Sequence, residues 1–188
     1  MGSLIKHMVQ KVDSMQFEIV LVLLRNRTHL REIGRILGES HSTILRKVNE
    51  LIDKNIIGAE QQGKNKVYSL KNNLIAKSMI YMAEKYKLLK LLKEYPMLSI
   101  ILEEVVKKTN EKLIVVFGSY AKFSAGKDSD IDIYIETKNR RIKNIVKEID
   151  RRLSVKIGFF DKDSLLIKEI IKNHVIVKGV EEFYEKNI

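Results

Sequence analysis

Four residues of this 188-residue chain combine type and spacing in a way that could do chemistry: Gly118 and Ser119, then, after ten intervening residues, Asp130 and Asp132. The aspartates open the run Asp130-Ile131-Asp132-Ile133-Tyr134-Ile135-Glu136, where acidic or aromatic residues alternate with isoleucine at the period of a half-buried strand. Alternation places Asp130, Asp132, Tyr134 and Glu136 on one face and the three isoleucines on the other, buried one. Two carboxylates are thereby held about 7 Å apart on a rigid element, close enough to share a hard divalent cation. The Gly-Ser pair ends a second apolar run, Lys112 to Phe117. Lacking a β-carbon, Gly118 lets a phosphate approach backbone N–H groups. Ser119 adds a hydroxyl donor, and a short helix around Tyr120-Ala121-Lys122-Phe123 turns an anion-favouring N-terminus toward it. An anion cradle and a pair of metal ligands are expected to face each other.

Gly118-Ser119, ten residues, then Asp130-x-Asp132 resembles the signature of the minimal nucleotidyltransferases of the DNA polymerase β superfamily, over roughly residues 97 to 188. The resemblance implies that Gly118 and Ser119 hold the phosphates of a nucleoside triphosphate and that Asp130 and Asp132 bind the Mg²⁺ or Mn²⁺ of nucleotidyl transfer. Lys122 and Lys127 in the intervening loop are candidates for phosphate contact. Active members of that family carry a third carboxylate on the neighbouring strand, and here its place falls at Ser154 or Lys156. Asp161 lies past the end of that strand, and Glu136 two side chains beyond Asp132. A lysine at the third position weakens cation binding while still able to neutralise phosphate. Some relatives of this type nucleotidylate a cognate toxin protein and others modify small molecules, so the acceptor stays open. The alternative is a regulator whose degenerate transferase domain binds nucleotide as an effector without turnover.

The elements that must position these residues suit a globular α+β protein, with 45% hydrophobic residues. Lys and Arg number 35 against 24 Asp and Glu, a net charge of +11 that points to a polyanionic partner, nucleic acid or nucleotide. With no cysteine, disulfides and thiolate metal sites are excluded. No apolar run reaches about 18 residues, so no membrane span and a cytoplasmic location are expected.

Residues 1–14 read as a short helix or a frayed arm. From Met15 follow three helical blocks: Phe17 to Leu24; a second with Leu30, Ile33, Ile36 and Leu37, capped by Thr28 and ended by Gly38; and a third capped by Ser40, with Ile44, Val48, Leu51 and Ile52 inward. His41, Ser42, Leu45, Arg46 and Asn49 then face outward. Strands at 56–60 and 66–70, joined by the Gly-containing loop 61–65, complete a pattern that resembles the winged helix-turn-helix of prokaryotic transcription regulators, over about residues 15 to 72. That resemblance implies double-stranded DNA as a partner, with Ser42, Arg46 and Asn49 at base edges and Lys47, Lys64 and Lys66 at phosphates. A winged helix used only for protein contacts is the competing reading. No histidine has a second ligand at helical spacing.

Residues 73–95 form the longest helical candidate. Its apolar residues wrap more than one face, so it either connects two domains or pairs two copies as a homodimer, the latter favoured. Pro96 ends it. The expected organisation is a winged helix-turn-helix domain at 1–72, a connecting or dimerisation helix at 73–95 and a nucleotidyltransferase domain with a mixed sheet at 96–188. Within the last, 141–152 is expected to be a basic amphipathic helix, followed by a strand at 153–160, a helix at 164–172, a short strand to Gly179 and a terminal helix.

Overall fold

A computed structural model of the chain describes residues 14–187; the arm expected at the N-terminus lies almost wholly outside them. The chain divides into two compact units between Tyr86 and Lys87.

The first unit has three helices, α1 (Ser14–Arg25), α2 (Leu30–Leu37) and α3 (His41–Asp53), then an antiparallel hairpin of β1 (Ile57–Gln62) and β2 (Asn65–Leu70). This is the element order of a winged helix-turn-helix. Ile19, Val20, Ile33, Ile44, Val48 and Leu51 close its core without solvent exposure. Gly38 sits at φ +67° and sends its N–H to Gly34 O, the left-handed C-cap that lets α2 stop and α3 start three residues later. Ser40 caps α3 by accepting from the Thr43 N–H at 3.2 Å.

Two expectations are corrected in this unit. Thr28 does not cap α2, because its backbone is committed to Tyr68 in both directions, at 3.1 and 2.8 Å, and His29 takes the N-cap position without a side-chain bond. The hairpin loop is two residues, Gly63 and Lys64, since the ladder continues through Gln61 opposite Lys66 to Gln62 opposite Asn65.

Helix α4 (Leu74–Glu94) begins at Asn73, whose Oδ1 accepts from the Ala76 N–H at 2.8 Å. Its apolar residues serve two cores. Ala76, Met79 and Ala83 are buried in the first unit, whereas Leu91, with Leu88 and Leu92 against it, belongs to the second. The helix thus supplies buried apolar residues to both units. The helix stops at Glu94, ahead of Pro96.

The second unit is a four-stranded mixed sheet in the order β5-β4-β3-β6. Helix α5 (Met97–Thr109) leads to β3 (Ile114–Val116), the one-turn helix α6 (Gly118–Ala121), β4 (Ile131–Glu136), α7 (Ile142–Lys147), β5 (Leu153–Gly158), α8 (Leu165–Lys172), β6 (Val175–Lys178) and α9 (Val180–Asn187). Strand β3 is antiparallel to both β4 and β6, and β5 is parallel to β4. Ile131, Ile133 and Ile135 are fully buried with Leu98, Leu102 and Val105 of α5 and Val146 of α7. Tyr134 points to the opposite face, where its ring meets Phe160 edge-on at 6.4 Å and Phe160 in turn meets Phe183 of α9 at 5.4 Å. Helix α7 is shorter than expected: after Lys147 the chain turns, so that Asp150 can bind the Arg152 N–H and side chain before β5 starts. Ile142, Ile145, Val146 and Ile149 all still face inward.

Among the described residues, no helix is long and apolar enough to cross a membrane.

Candidate functional site

Antiparallel pairing of β3 with β4 brings the end of the first strand beside the start of the second. Val116 stands opposite Ile133, and the Phe117 N–H donates to Asp132 O at 3.0 Å. Gly118 and Ser119 therefore emerge at the end of the two inner strands where Asp130, just before β4, and Asp132, its second residue, lie. Tyr120 and Ala121 are buried in the core and fix α6, with Tyr120 meeting Tyr95 edge-on at 4.8 Å, so the Gly-Ser half of this turn is left half exposed. In so short a helix the first N–H groups have no intrahelical acceptor and remain available to an anion.

Gly118 is the pivot of the site. It adopts φ +69°, and a β-carbon there would overlap Oδ2 of Asp132 and lie 3.2 Å from its Cγ. Only glycine serves a position that combines a left-handed backbone with this close approach. The cradle and the carboxylate are thus in contact. Asp130 is exposed and Asp132 half buried, and neither makes an ion pair or a side-chain hydrogen bond among the described residues. A pair of carboxylates with no cationic partner, next to open backbone N–H groups, fits an oxygen-ligated divalent cation.

The loop between the two halves is closed by Gly126 and Ser129: the Gly126 N–H donates to Ser129 Oγ at 2.9 Å, and the Ser129 N–H to Gly126 O at 3.2 Å. Phe123 holds φ +55°, an unusual backbone for an aromatic residue, directly after α6. Lys122 is about half exposed, and its ammonium lies 3.8 Å from Glu169 of α8, a neighbour that no sequence spacing announces. Its N–H closes α6 onto Gly118 O and Ser119 O. Lys127 is exposed.

The register decides between the two candidates for the third ligand position. Ser154 stands beside Asp132, and Lys156 beside Tyr134, one residue pair farther from that end of the strands. No group of three His, Cys, Asp or Glu that could hold a metal occurs among the described residues. Glu136 is committed elsewhere, accepting from the Phe160 N–H at 3.2 Å and from Lys186 Nζ at 3.0 Å. That ammonium, held by Glu182 and Glu136, stays charged above the ordinary lysine range. Asp161 accepts from the Asp163 N–H at 3.0 Å beyond the far end of β5. Tyr134 donates to Gly158 O, and burial together with Glu136 pushes its phenol well above the usual range, so it is a fixed donor and not a proton carrier.

In the first unit, Ser42, Leu45, Arg46 and Asn49 share the exposed face of α3, and Lys64 and Lys66 are exposed on the wing. Arg46 is 64% exposed although 3.1 Å from Glu50, a geometry from which a flexible guanidinium can swing out. Lys47 departs from its expected place at a phosphate. It is only 8% exposed and its ammonium lies 3.0 and 2.9 Å from the two Glu50 oxygens, because its position on α3 turns toward α1, where Gln16 donates to the same carboxylate at 2.7 Å. Lys47 first, then Gln16 and Arg46, hold the Glu50 carboxyl below its ordinary range.

No curated protein matches the chain. A solved structure, the adhesin competence repressor from Streptococcus pyogenes, is similar at 16% identity and a TM-score of 0.41, covering 51% of this chain and 72% of that one. Residues 98–183, which contain the Gly118, Ser119, Asp130 and Asp132 site, match the family model of the nucleotidyltransferase domain.

Proposed function

We propose that the second unit transfers a nucleotidyl group from a nucleoside triphosphate to an acceptor hydroxyl. The observation that carries this reading is the contact between the Gly118 turn and the Asp132 carboxylate, which would join an anion cradle to a cation ligand. Asp130 and Asp132 would hold Mg²⁺ or Mn²⁺, which supplies charge neutralisation and phosphate orientation when bound. Gly118 and Ser119 take the β and γ phosphates, and Lys122 lends charge to that end. The acceptor oxygen bonds to the α-phosphorus, the bond from that phosphorus to the α–β bridging oxygen breaks, pyrophosphate leaves and the hydroxyl proton passes to solvent. Ser154 beside Asp132 favours a second reading, a nucleotide-binding effector domain without turnover. Incubation with labelled ATP, GTP, CTP and UTP plus Mg²⁺ or Mn²⁺ separates the two: transferred label supports the enzyme, and saturable binding without transfer supports the effector domain.

For the first unit the proposal is duplex DNA binding. Ser42, Arg46 and Asn49 face base edges, Lys64 and Lys66 face phosphates, and salt-dependent duplex binding tests it. Helix α4 leaves Ile75, Met82 and Leu89 exposed at 52, 45 and 65%, a seven-residue repeat that suits pairing with a second copy. Sedimentation of wild type against Met82→Lys reads that association.

A further inference from the structure

Both readings of the second unit put a nucleoside triphosphate beside Asp132, and the residues around that carboxylate limit how many cations can come with it. In the sheet Asp132 has the Gly118 turn on its β3 side and β5 on the other. On β5 its direct neighbour is Ser154, and Lys156 follows two residues later beside Tyr134, so alternation puts both side chains on the face that carries Asp132. A paired-cation site needs anionic oxygen on that side, to bridge two hard cations about 3.5–4 Å apart. The strand offers a neutral hydroxyl and an ammonium instead.

No neighbouring carboxylate substitutes. Glu136 is held by the Phe160 N–H and Lys186, Asp161 by the Asp163 N–H, and Glu169 has the Lys122 ammonium 3.8 Å away. Among the described residues no three His, Cys, Asp or Glu gather where they could hold a metal. Lys156, by contrast, is uncommitted: it is exposed on an edge strand and makes no ion pair among the described residues. The Tyr134 hydroxyl donates to Gly158 O at 3.0 Å, which ties that side chain toward the far end of β5 and away from the diagonal between Lys156 and Asp132. Strand spacing makes that diagonal about 8 Å between α-carbons, a gap that the flexible four-carbon stem of lysine spans. The ammonium therefore reaches the space beside Asp132 where a second cation would sit, and like charges repel from it.

We infer that the site binds its nucleotide with one divalent cation, held by Asp130 and Asp132, and that the Lys156 ammonium supplies the second positive charge directly to the phosphates. This rests on the nucleotide-binding reading common to the enzyme and the effector domain. Lys156 is thus a positioning residue for the nucleotide, with a charge fixed by the fold and independent of the divalent concentration.

The full chain is titrated with the α,β-methylene analogues of ATP, GTP, CTP and UTP, which bind without transfer, in the presence of Mn²⁺. Bound Mn²⁺ is counted from the loss of the free-ion electron spin resonance signal, with the analogue alone as blank. Wild type should hold one Mn²⁺ per bound analogue, and Lys156→Glu two. Lys156→Gln should keep the count of one and bind the analogue about ten-fold more weakly, through loss of one charge-assisted contact to phosphate. Lys156→Arg, which keeps the charge, should match wild type in both. Because Lys156 is exposed and without an ion pair among the described residues, an unchanged thermal midpoint is expected in all three variants and shows that the fold is intact. Two Mn²⁺ in wild type, no second Mn²⁺ in Lys156→Glu, or undiminished affinity in Lys156→Gln overturns the inference. Failure of every analogue to bind wild type overturns the nucleotide-binding reading on which it rests.

Discussion

Replacing Gly118 with alanine isolates the contact on which the site depends. The new methyl group meets two penalties: the left-handed backbone at φ +69°, and overlap with the Asp132 carboxylate. A non-glycine residue in such a conformation costs about 1–2 kcal/mol. The carboxylate can rotate out of the way, but doing so takes it from the cradle, and a displacement near 1 Å at a reacting centre costs about 100-fold in rate. Gly118→Ala should therefore lower the thermal midpoint of the second unit by about 4–8 °C per kcal/mol lost and cut nucleotide transfer by about two orders of magnitude. Differential scanning calorimetry and a labelled-nucleotide assay read the two effects. Gly126→Ala is the control, since a β-carbon there has only Ser129 Oγ nearby, at 4.0 Å. The decisive comparison is made in an Asp132→Ala background. Removing the carboxylate removes the overlap, so the stability cost of Gly118→Ala should shrink toward the backbone contribution alone. Equal costs in the two backgrounds, or full transfer by Gly118→Ala, would refute the reasoning.

Asp132→Ala itself should abolish nucleotide transfer without loss of stability, because the carboxylate has no ion pair or side-chain hydrogen bond to lose among the described residues; transfer at the wild-type rate would sink the metal-ligand assignment. Arg46→Ala and Lys64→Ala should each weaken duplex DNA binding and lower its salt slope, by about 1 for Lys64, whereas Lys47→Ala should leave that slope unchanged, as measured by gel shift across a salt series. Glu50, with its carboxyl lowered in the folded state, contributes stability that is complete above the ordinary carboxylate pKa and disappears as pH falls through the lowered value. Glu50→Gln should accordingly flatten the acid limb of the first unit's stability curve. Ser40→Ala should cost about 1 kcal/mol in urea denaturation through loss of the α3 cap.

The strand carrying Asp130 and Asp132 was legible because alternation is a local property: every second residue from Ile131 to Ile135 is apolar, and the sheet buries those positions completely. The outward face of α3 was legible for the same reason, apart from Lys47. Its fate depends on Glu50 and on Gln16, 34 residues upstream of that carboxylate, and a periodicity argument has no access to such a distance. The choice between Ser154 and Lys156 likewise needs the β4–β5 register, which pairs residues 22 apart and is fixed only when α7 and the turn after it have been built. Thr28 looked like a cap because threonine suits one; the wing residue Tyr68 took its backbone instead.

The sharing of α4 between two cores dictates where the protein can be dissected. A fragment beginning at Pro96 would discard Leu91, fully enclosed in the second unit, together with Leu88 and Leu92, and truncating one such leucine alone costs about 2–5 kcal/mol. A viable C-terminal piece must start near Lys87 and carry the last two turns of the helix with it, while an N-terminal piece needs the residues up to Ala83. The scissors belong in mid-helix, not at the proline.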